Sequence, residues 1–182
     1  SEINIALDSK PVCDDQECDI LSNSLNKAGE VCEAQGVKLA FHHHMGTYIQ
    51  NEDEIEILLS KTDPNFVHLC ADTGHLLFAG VDPVEFFQKH INRIKHIHFK
   101  DIRPSIFNNI NPKKESFLRL MLKGIFTVPG DGCIDFITIG NNLKNSDYKG
   151  WIIVEAEQDP EKANPLEYAL SSKKYLEKIW SN

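Results

Sequence analysis

Lys95-His96-Ile97-His98-Phe99-Lys100-Asp101-Ile102-Arg103 alternates polar and apolar side chains from His96 to Lys100. In an extended strand successive side chains point to opposite faces, so His96, His98 and Lys100 share one face while Ile97 and Phe99 take the other. On a helix, at 3.6 residues per turn, the same polar groups would scatter around the axis. The spacing therefore predicts a buried strand whose C-terminal end opens onto a site. Core histidines satisfied by a backbone carbonyl are common, and the stretch takes its weight from three further segments of the same kind.

Upstream, Leu21, Leu25, Ala28, Val31 and Cys32 recur at helical spacing, predicting a helix over 19–35 that Gly36 closes. A strand over 37–43 follows, then a helix over 52–60 and a second strand over 66–72. Asp82 and Pro83 supply the cap and first-turn proline of a helix running to about 92, ahead of the opening stretch. Downstream come a loop over 104–112, a short helix over 115–123, and the turn Phe126-Thr-Val-Pro-Gly-Asp-Gly132. A helix capped by Asp135, a fourth strand over 151–157 and a helix from Pro165 to about Trp180 complete the chain, while 1–17 reads as a loop. Strands alternating with helices imply right-handed crossovers and a parallel sheet. Four such units make half of a (β/α)8 TIM barrel, which needs ~250 residues when whole. Residues 1–182 are thus expected to form a single domain, the C-terminal half of a barrel (strands 5 to 8), with the other half upstream.

A net charge of −8 argues against nucleic-acid binding through a general basic surface. Cys13, Cys18, Cys32, Cys70 and Cys133 are odd in number and irregularly spaced, which suits a reduced, cytoplasmic setting better than a disulfide framework. No apolar run is long enough to cross a bilayer, and no leader pattern opens the sequence, which starts at Ser1 without a methionine. Small-molecule chemistry is the class that survives.

In parallel α/β folds the active site gathers at the C-terminal ends of the strands. Each predicted strand ends in metal-ligand or acid–base residues: His42, His43 and His44; Asp72 followed by His75; His98, Lys100, Asp101 and Arg103; Glu155 and Glu157. Bland readings compete with this one. The His42–His44 run has the look of a loop or tag remnant, yet it follows a strand-like segment. Asp72 before Thr73 and Gly74 also reads as a helix cap, and His96 as a core or supporting histidine. The acidic run 51–56 reads as a solvated helix face. Glu155 and Glu157 would face one side by alternation, and two carboxylates on a buried strand need a cation or donors. A mixed His, Asp and Glu set suits Mn²⁺, Co²⁺, Fe²⁺ or Zn²⁺ more than Mg²⁺ or Ca²⁺.

Phe41-His-His-His-Met-Gly-Thr47, Asp72-Thr-Gly-His75, His96-Ile-His-Phe-Lys-Asp-Ile-Arg103, Phe126-Thr-Val-Pro-Gly-Asp-Gly132 and Glu155-Ala-Glu-Gln-Asp-Pro160 together resemble the inosose dehydratase family of inositol catabolism. That family lies in the xylose isomerase-like TIM-barrel superfamily. The resemblance implies a metal-dependent hydro-lyase acting on 2-keto-myo-inositol, a small polyhydroxylated ketone, to give a trihydroxycyclohexane-dione. It also implies a manganese or cobalt requirement and a link to glutathione. Related sugar isomerases and epimerases hold their metal with Glu, Asp, His and Glu; the last three carry over to Asp72, His98 and Glu155. In place of the first stands His42, as fourth ligand or beside an open position. His75 matches a substrate hydroxyl contact, and Arg103 stands near a substrate-binding arginine. The resemblance leaves Glu155 or Lys100 as base, and Lys100, Glu157 or His44 as the group that protonates the leaving hydroxyl. An isomerase or epimerase on the same scaffold is the nearest rival. An apurinic endonuclease of the superfamily would want a basic groove, and this chain is acidic. A half-barrel would also expose two sheet edges, so an inactive fragment, or one completed by its other half or by a second copy in a homo-oligomer, is a further alternative.

Overall fold

The computed structural model describes residues 5–181. Helix α1 (Asp15–Ala34) starts inside the expected loop, because Asp14 and Glu17 form a capping box. Asp14 accepts the Glu17 N–H at 2.8 Å, and Glu17 accepts the Asp14 N–H at 3.1 Å. Before it, Leu7–Ser9 makes a 3-10 turn, and residues 1–4 of that loop lie outside the described residues. Strand β1 (Leu39–His42) leads to α2 (Glu52–Ser60), where Asn51 and Glu54 repeat the capping box. Strand β2 (Val67–Asp72) runs without a break into α3 (Thr73–Phe78), a helix the sequence reading did not assign. Then follow α4 (Pro83–His90) and β3 (Ile94–Phe99).

The opening stretch does not stay one strand. Lys100 leaves the ladder, and β4 (Asp101–Ile102) turns to pair antiparallel with β5 (Phe126–Thr127). Between them lie α5 (Pro104–Phe107), inside the expected loop, and α6 (Phe117–Leu122). The chain closes with α7 (Phe136–Lys144), capped by Asp135, then β6 (Trp151–Val154) and α8 (Pro165–Trp180), whose first residue is the proline that the sequence singled out.

Strands β1, β2, β3 and β6 form a parallel sheet in that order. Leu69, Ala71, Ile94, Ile97 and Phe99 point from it toward the helices and are fully buried against Ile55, Leu58, Phe86, Phe87, Phe136 and Ile139. Removing that much apolar surface from water, at ~25 cal/mol per Å2, is what holds the helical layer to the sheet. The opposite face is polar, and the register sets His42 beside Cys70, Cys70 beside His96, and Asp72 beside His98. A smaller aromatic cluster of Phe78, Phe117 and Phe126 with Ile102, Leu120 and Ile125 closes the end of the sheet where the strands finish.

One expectation is corrected here. The fourth strand is not buried: β6 is a sheet edge with Trp151 77 % and Ile153 43 % exposed, because β3 is its only strand neighbour among the described residues. It also stops at Val154, so strand alternation is not what aligns Glu155 with Glu157. Glu157 instead takes a left-handed backbone, φ 44°.

Candidate functional site

The polar ends of the four parallel strands converge. Asp72, the last residue of β2, is fully buried and does two jobs at once. Its Oδ1 accepts the His75 N–H at 2.9 Å and so caps α3, while Oδ2 turns toward the imidazoles of neighbouring strands. His42 Nε2 lies 3.5 Å and His98 Nδ1 3.6 Å from that oxygen, and Glu155 Oε2 lies 3.3 Å from His98 Nδ1. The cap and the ligand readings of Asp72 are thus compatible, one oxygen serving each.

His42 Nε2 and His98 Nδ1 are buried and make no hydrogen bond, while the buried Asp72 Oδ2 and Glu155 Oε2 have ion pairs with Lys100 in place of hydrogen bonds. Leaving such groups unpaired is costly. Ligand atoms at 2.0–2.2 Å around a tetrahedral ion lie roughly 3.3–3.6 Å apart, which matches the three spacings given above. The donor set of Asp72, His98 and Glu155 fits a divalent transition ion, with His42 beside Asp72. Asp72, His98 and Glu155 form one compact ligand group, and His42 joins Asp72 and His75 in another. Cys70, which the sequence reading passed over, forms a third such group with His42 and His98 and adds a thiol to it. Only strand pairing brings it there.

Lys100 sits beside this cluster, 1 % exposed. Its Nζ is 2.6 Å from Glu157 Oε2, 2.9 Å from Glu155 Oε2, 3.1 Å from His75 Nε2 and 3.3 Å from Asp72 Oδ2. The Phe126 ring lies 5.0 Å beneath the ammonium. Thr73 fixes the backbone there, since its Oγ1 donates to Lys100 O at 2.7 Å and accepts the Lys100 N–H at 2.9 Å. Gly74 leaves room for the lysine stem: a Cβ there would fall 2.7 Å from Lys100 Cγ. Neither residue announces this in the sequence.

The charges are strongly coupled. Burial works against Asp72 as an anion, but the imidazoles of His42 and His98 outweigh it and hold the carboxyl well below the usual carboxylate range. Asp72, then Cys70 and Glu155, push His98 up to about 11, and His98 in turn holds Glu155 at about 2. Burial pulls Lys100 down, yet Asp72, Glu157 and Glu155 together leave it raised. Burial pushes His75 down, below the imidazole range. The three carboxylates thus favour the charged forms of the cations beside them.

His44 and His75 lie with ring centres 3.9 Å apart at a tilt of 46°, and Glu157 joins them as a ligand-type group. His44 Nδ1 bonds the Met45 carbonyl at 2.8 Å. His43 is buried, and its Nε2 accepts the Asp72 N–H at 3.3 Å, so it supports the strand end and does not line the cluster. His96 is half-buried one register step behind His98, with ring centres 5.3 Å apart.

Arg103 and Asp101 point elsewhere. Arg103 donates to Gly124 O at 2.7 Å, Phe126 O at 3.1 Å, Thr127 Oγ1 at 3.0 Å, Asp131 Oδ2 at 2.9 Å and Tyr168 OH at 3.2 Å. It secures the turn after β5. Asp101 holds the same turn from below by accepting backbone N–H groups of Gly130, Gly132, Cys133 and Ile134.

Among proteins of known name, the chain is 48 % identical over 170 residues to an inosose dehydratase of Clostridium tetani, covering 93 % of this chain and 57 % of that protein. It is 49 % identical over 173 residues to an inosose dehydratase of Salmonella typhimurium, covering 95 % and 58 %. The chain therefore spans little more than half the length of these relatives. Its fold is similar to that of a probable 3-DHS dehydratase from Bacillus anthracis, with TM-score 0.68, 18 % identity, and 90 % and 57 % of the two chains covered. An IolI protein with a bound zinc atom superposes with TM-score 0.66 at 21 % identity, covering 96 % and 60 %. Residues 5–179 match the family described as xylose isomerase-like TIM barrel. The parallel sheet, its helical outer layer and the match across nearly the whole sequence agree, and the chain belongs to the xylose isomerase-like TIM barrel family.

Proposed function

We propose that this chain carries the reacting groups of a hydro-lyase that eliminates water from 2-keto-myo-inositol. The reading rests above all on four buried ligand atoms, from His42, Asp72, His98 and Glu155, gathered beside the Lys100–Glu157 pair. The near 50 % identity to proteins named inosose dehydratase supports it. Asp72, His98, Glu155 and His42 would hold a divalent ion, manganese or cobalt by resemblance, whose Lewis acidity would polarise the ketone oxygen and acidify the neighbouring C–H.

Lys100 links both carboxylates, at 2.9 Å from Glu155 and 2.6 Å from Glu157. That placement lets one amine exchange protons with either acid. The carbon beside the ketone gives its proton to Glu155 or Lys100. The electron pair left behind forms a double bond and expels the hydroxyl on the next carbon, which takes a proton from Lys100, Glu157 or His44 and departs as water. His44 and His75 present a paired imidazole edge for the ring hydroxyls, while Arg103 acts as a positioning residue through the Thr127–Asp131 turn. Phe117 and Phe126 line one side and help exclude water.

The test is turnover of 2-keto-myo-inositol by the chain with Mn²⁺ or Co²⁺, with and without glutathione, followed by mass spectrometry in D₂O. Loss of one water is the expected result. Deuterium uptake without hydroxyl loss would instead mark an isomerase or epimerase. Asp72→Asn and Glu155→Gln should each lower turnover at least ~10²-fold and weaken metal uptake with the fold intact; full activity in either variant removes that residue from the site. The exposed edge of β6 favours a second reading, in which turnover appears only when that edge is covered. Size-exclusion chromatography with metal analysis, beside a relative of full length, separates the two.

A further inference from the structure

A second group of ligand-type side chains lies in the outer helical layer. Glu52 and Glu56 stand one turn apart on α2, and His90 is the last residue of α4. The sequence presents the two acids as part of a solvated face, but tertiary packing sets a histidine against them. His90 is only 6 % exposed, with its ring 4.4 Å from that of Phe86. Its Nε2 is buried, makes no hydrogen bond, and points at the acids, 3.4 Å from Glu56 Oε1 and 4.0 Å from Glu52 Oε1. A buried imidazole nitrogen beside two carboxylate oxygens is a donor set that a divalent ion accepts.

We propose that Glu52, Glu56 and His90 form a second divalent-cation site of the zinc class, which clamps α2 to α4. Two carboxylates and one imidazole are a donor set that zinc accepts, with water in the fourth position. The 3.4 Å between His90 and Glu56 suits ligand atoms on one tetrahedral ion. Burial holds the His90 imidazole below its ordinary range despite Glu56, which favours the neutral form that binds metals. The competing cation is Lys89, whose Nζ lies 2.7 Å from both Glu52 and Glu56. That side chain is 54 % exposed, and ion pairs of this kind contribute little, so it can swing into solvent when an ion arrives. Phe86 stands between His90 and His43, and the clamp shares no ligand with the cluster around Asp72.

Zinc titration by calorimetry, with metal analysis after dialysis, tests this on the whole chain and separates the two sites. In Asp72→Asn, where the other cluster is weakened, one zinc per chain should remain. Adding Glu56→Gln should weaken that remaining zinc about tenfold or more and abolish the zinc-induced rise in thermal midpoint. Lys89→Gln should tighten it several-fold by removing the competitor. His90→Gln should behave as Glu56→Gln does; because His90 is buried and Glu56 is not, the glutamate variant decides the matter if His90→Gln fails to fold. Zinc affinity unchanged by Glu56→Gln overturns the proposal, whatever happens at Asp72.

Discussion

Asp101→Asn should destabilise the fold by about 3 kcal/mol without touching any of the four converging ligand atoms. The carboxylate is 1 % exposed. Oδ1 accepts N–H groups from Ile102 at 2.8 Å, Cys133 at 2.9 Å and Ile134 at 3.0 Å, while Oδ2 accepts from Gly130 at 3.2 Å and Gly132 at 3.0 Å. An asparagine keeps one acceptor. Its best choice keeps the oxygen on the Oδ1 side, which leaves the amide NH₂ facing the N–H groups of Gly130 and Gly132. A hydrogen bond to a charged group contributes ~1.5–3 kcal/mol, so two lost bonds come to about 3–6 kcal/mol, and relaxation of the turn favours the low end. At ~2–4 °C per kcal/mol for a chain of this size, the midpoint of thermal unfolding should fall by roughly 6–12 °C. Urea unfolding followed by circular dichroism gives the free energy directly. Asp131→Asn, in the same turn but 47 % exposed, is the control and should lose no more than about 1 kcal/mol. Equal losses in the two variants would show that the buried carboxylate does not organise the turn.

Two further outcomes follow from buried groups near the site. His68 is 4 % exposed with neither ring nitrogen hydrogen-bonded, and burial, then Lys38, Lys95 and Arg93, hold it below its ordinary 6.5. The unfolded chain takes up that proton first, so the contribution of this group is full above pH 6.5 and lost as pH falls below it. His68→Phe should flatten the acid side of unfolding free energy plotted against pH, and an unchanged slope would remove His68 from the account. Gly74→Ala places a Cβ 2.7 to 2.9 Å from the Lys100 stem and must displace the ammonium from Glu155 and Glu157. The turnover proposed above should drop roughly tenfold for about 1–3 kcal/mol of stability; wild-type turnover would mean that Lys100 need not sit where it does.

Much of this molecule was legible because its signals are local. Asp82-Pro83, Asp135 and Pro165 each mark a helix start by chemistry confined to one turn, and all three do so in the structure. The alternation from His96 to Phe99 likewise survives as a strand with a polar and an apolar face, since alternation is a property of extended backbone alone. Signals that depend on distant partners were not readable. Glu155 and Glu157 meet at Lys100 through a left-handed residue beyond the strand, not through alternation within it. Arg103, at the end of a strand-like run, goes to the turn after β5 because β4 pairs with β5 and rotates it away from the sheet. Glu52 and Glu56 look like a solvated helix face until α4 brings His90 against them. Spacing along the chain determines which side chains share a face, because φ and ψ repeat locally. Which faces meet, and whether a given oxygen ends as a cap, a turn anchor or a ligand, depends on packing between residues tens of positions apart, and only the folded structure decides it.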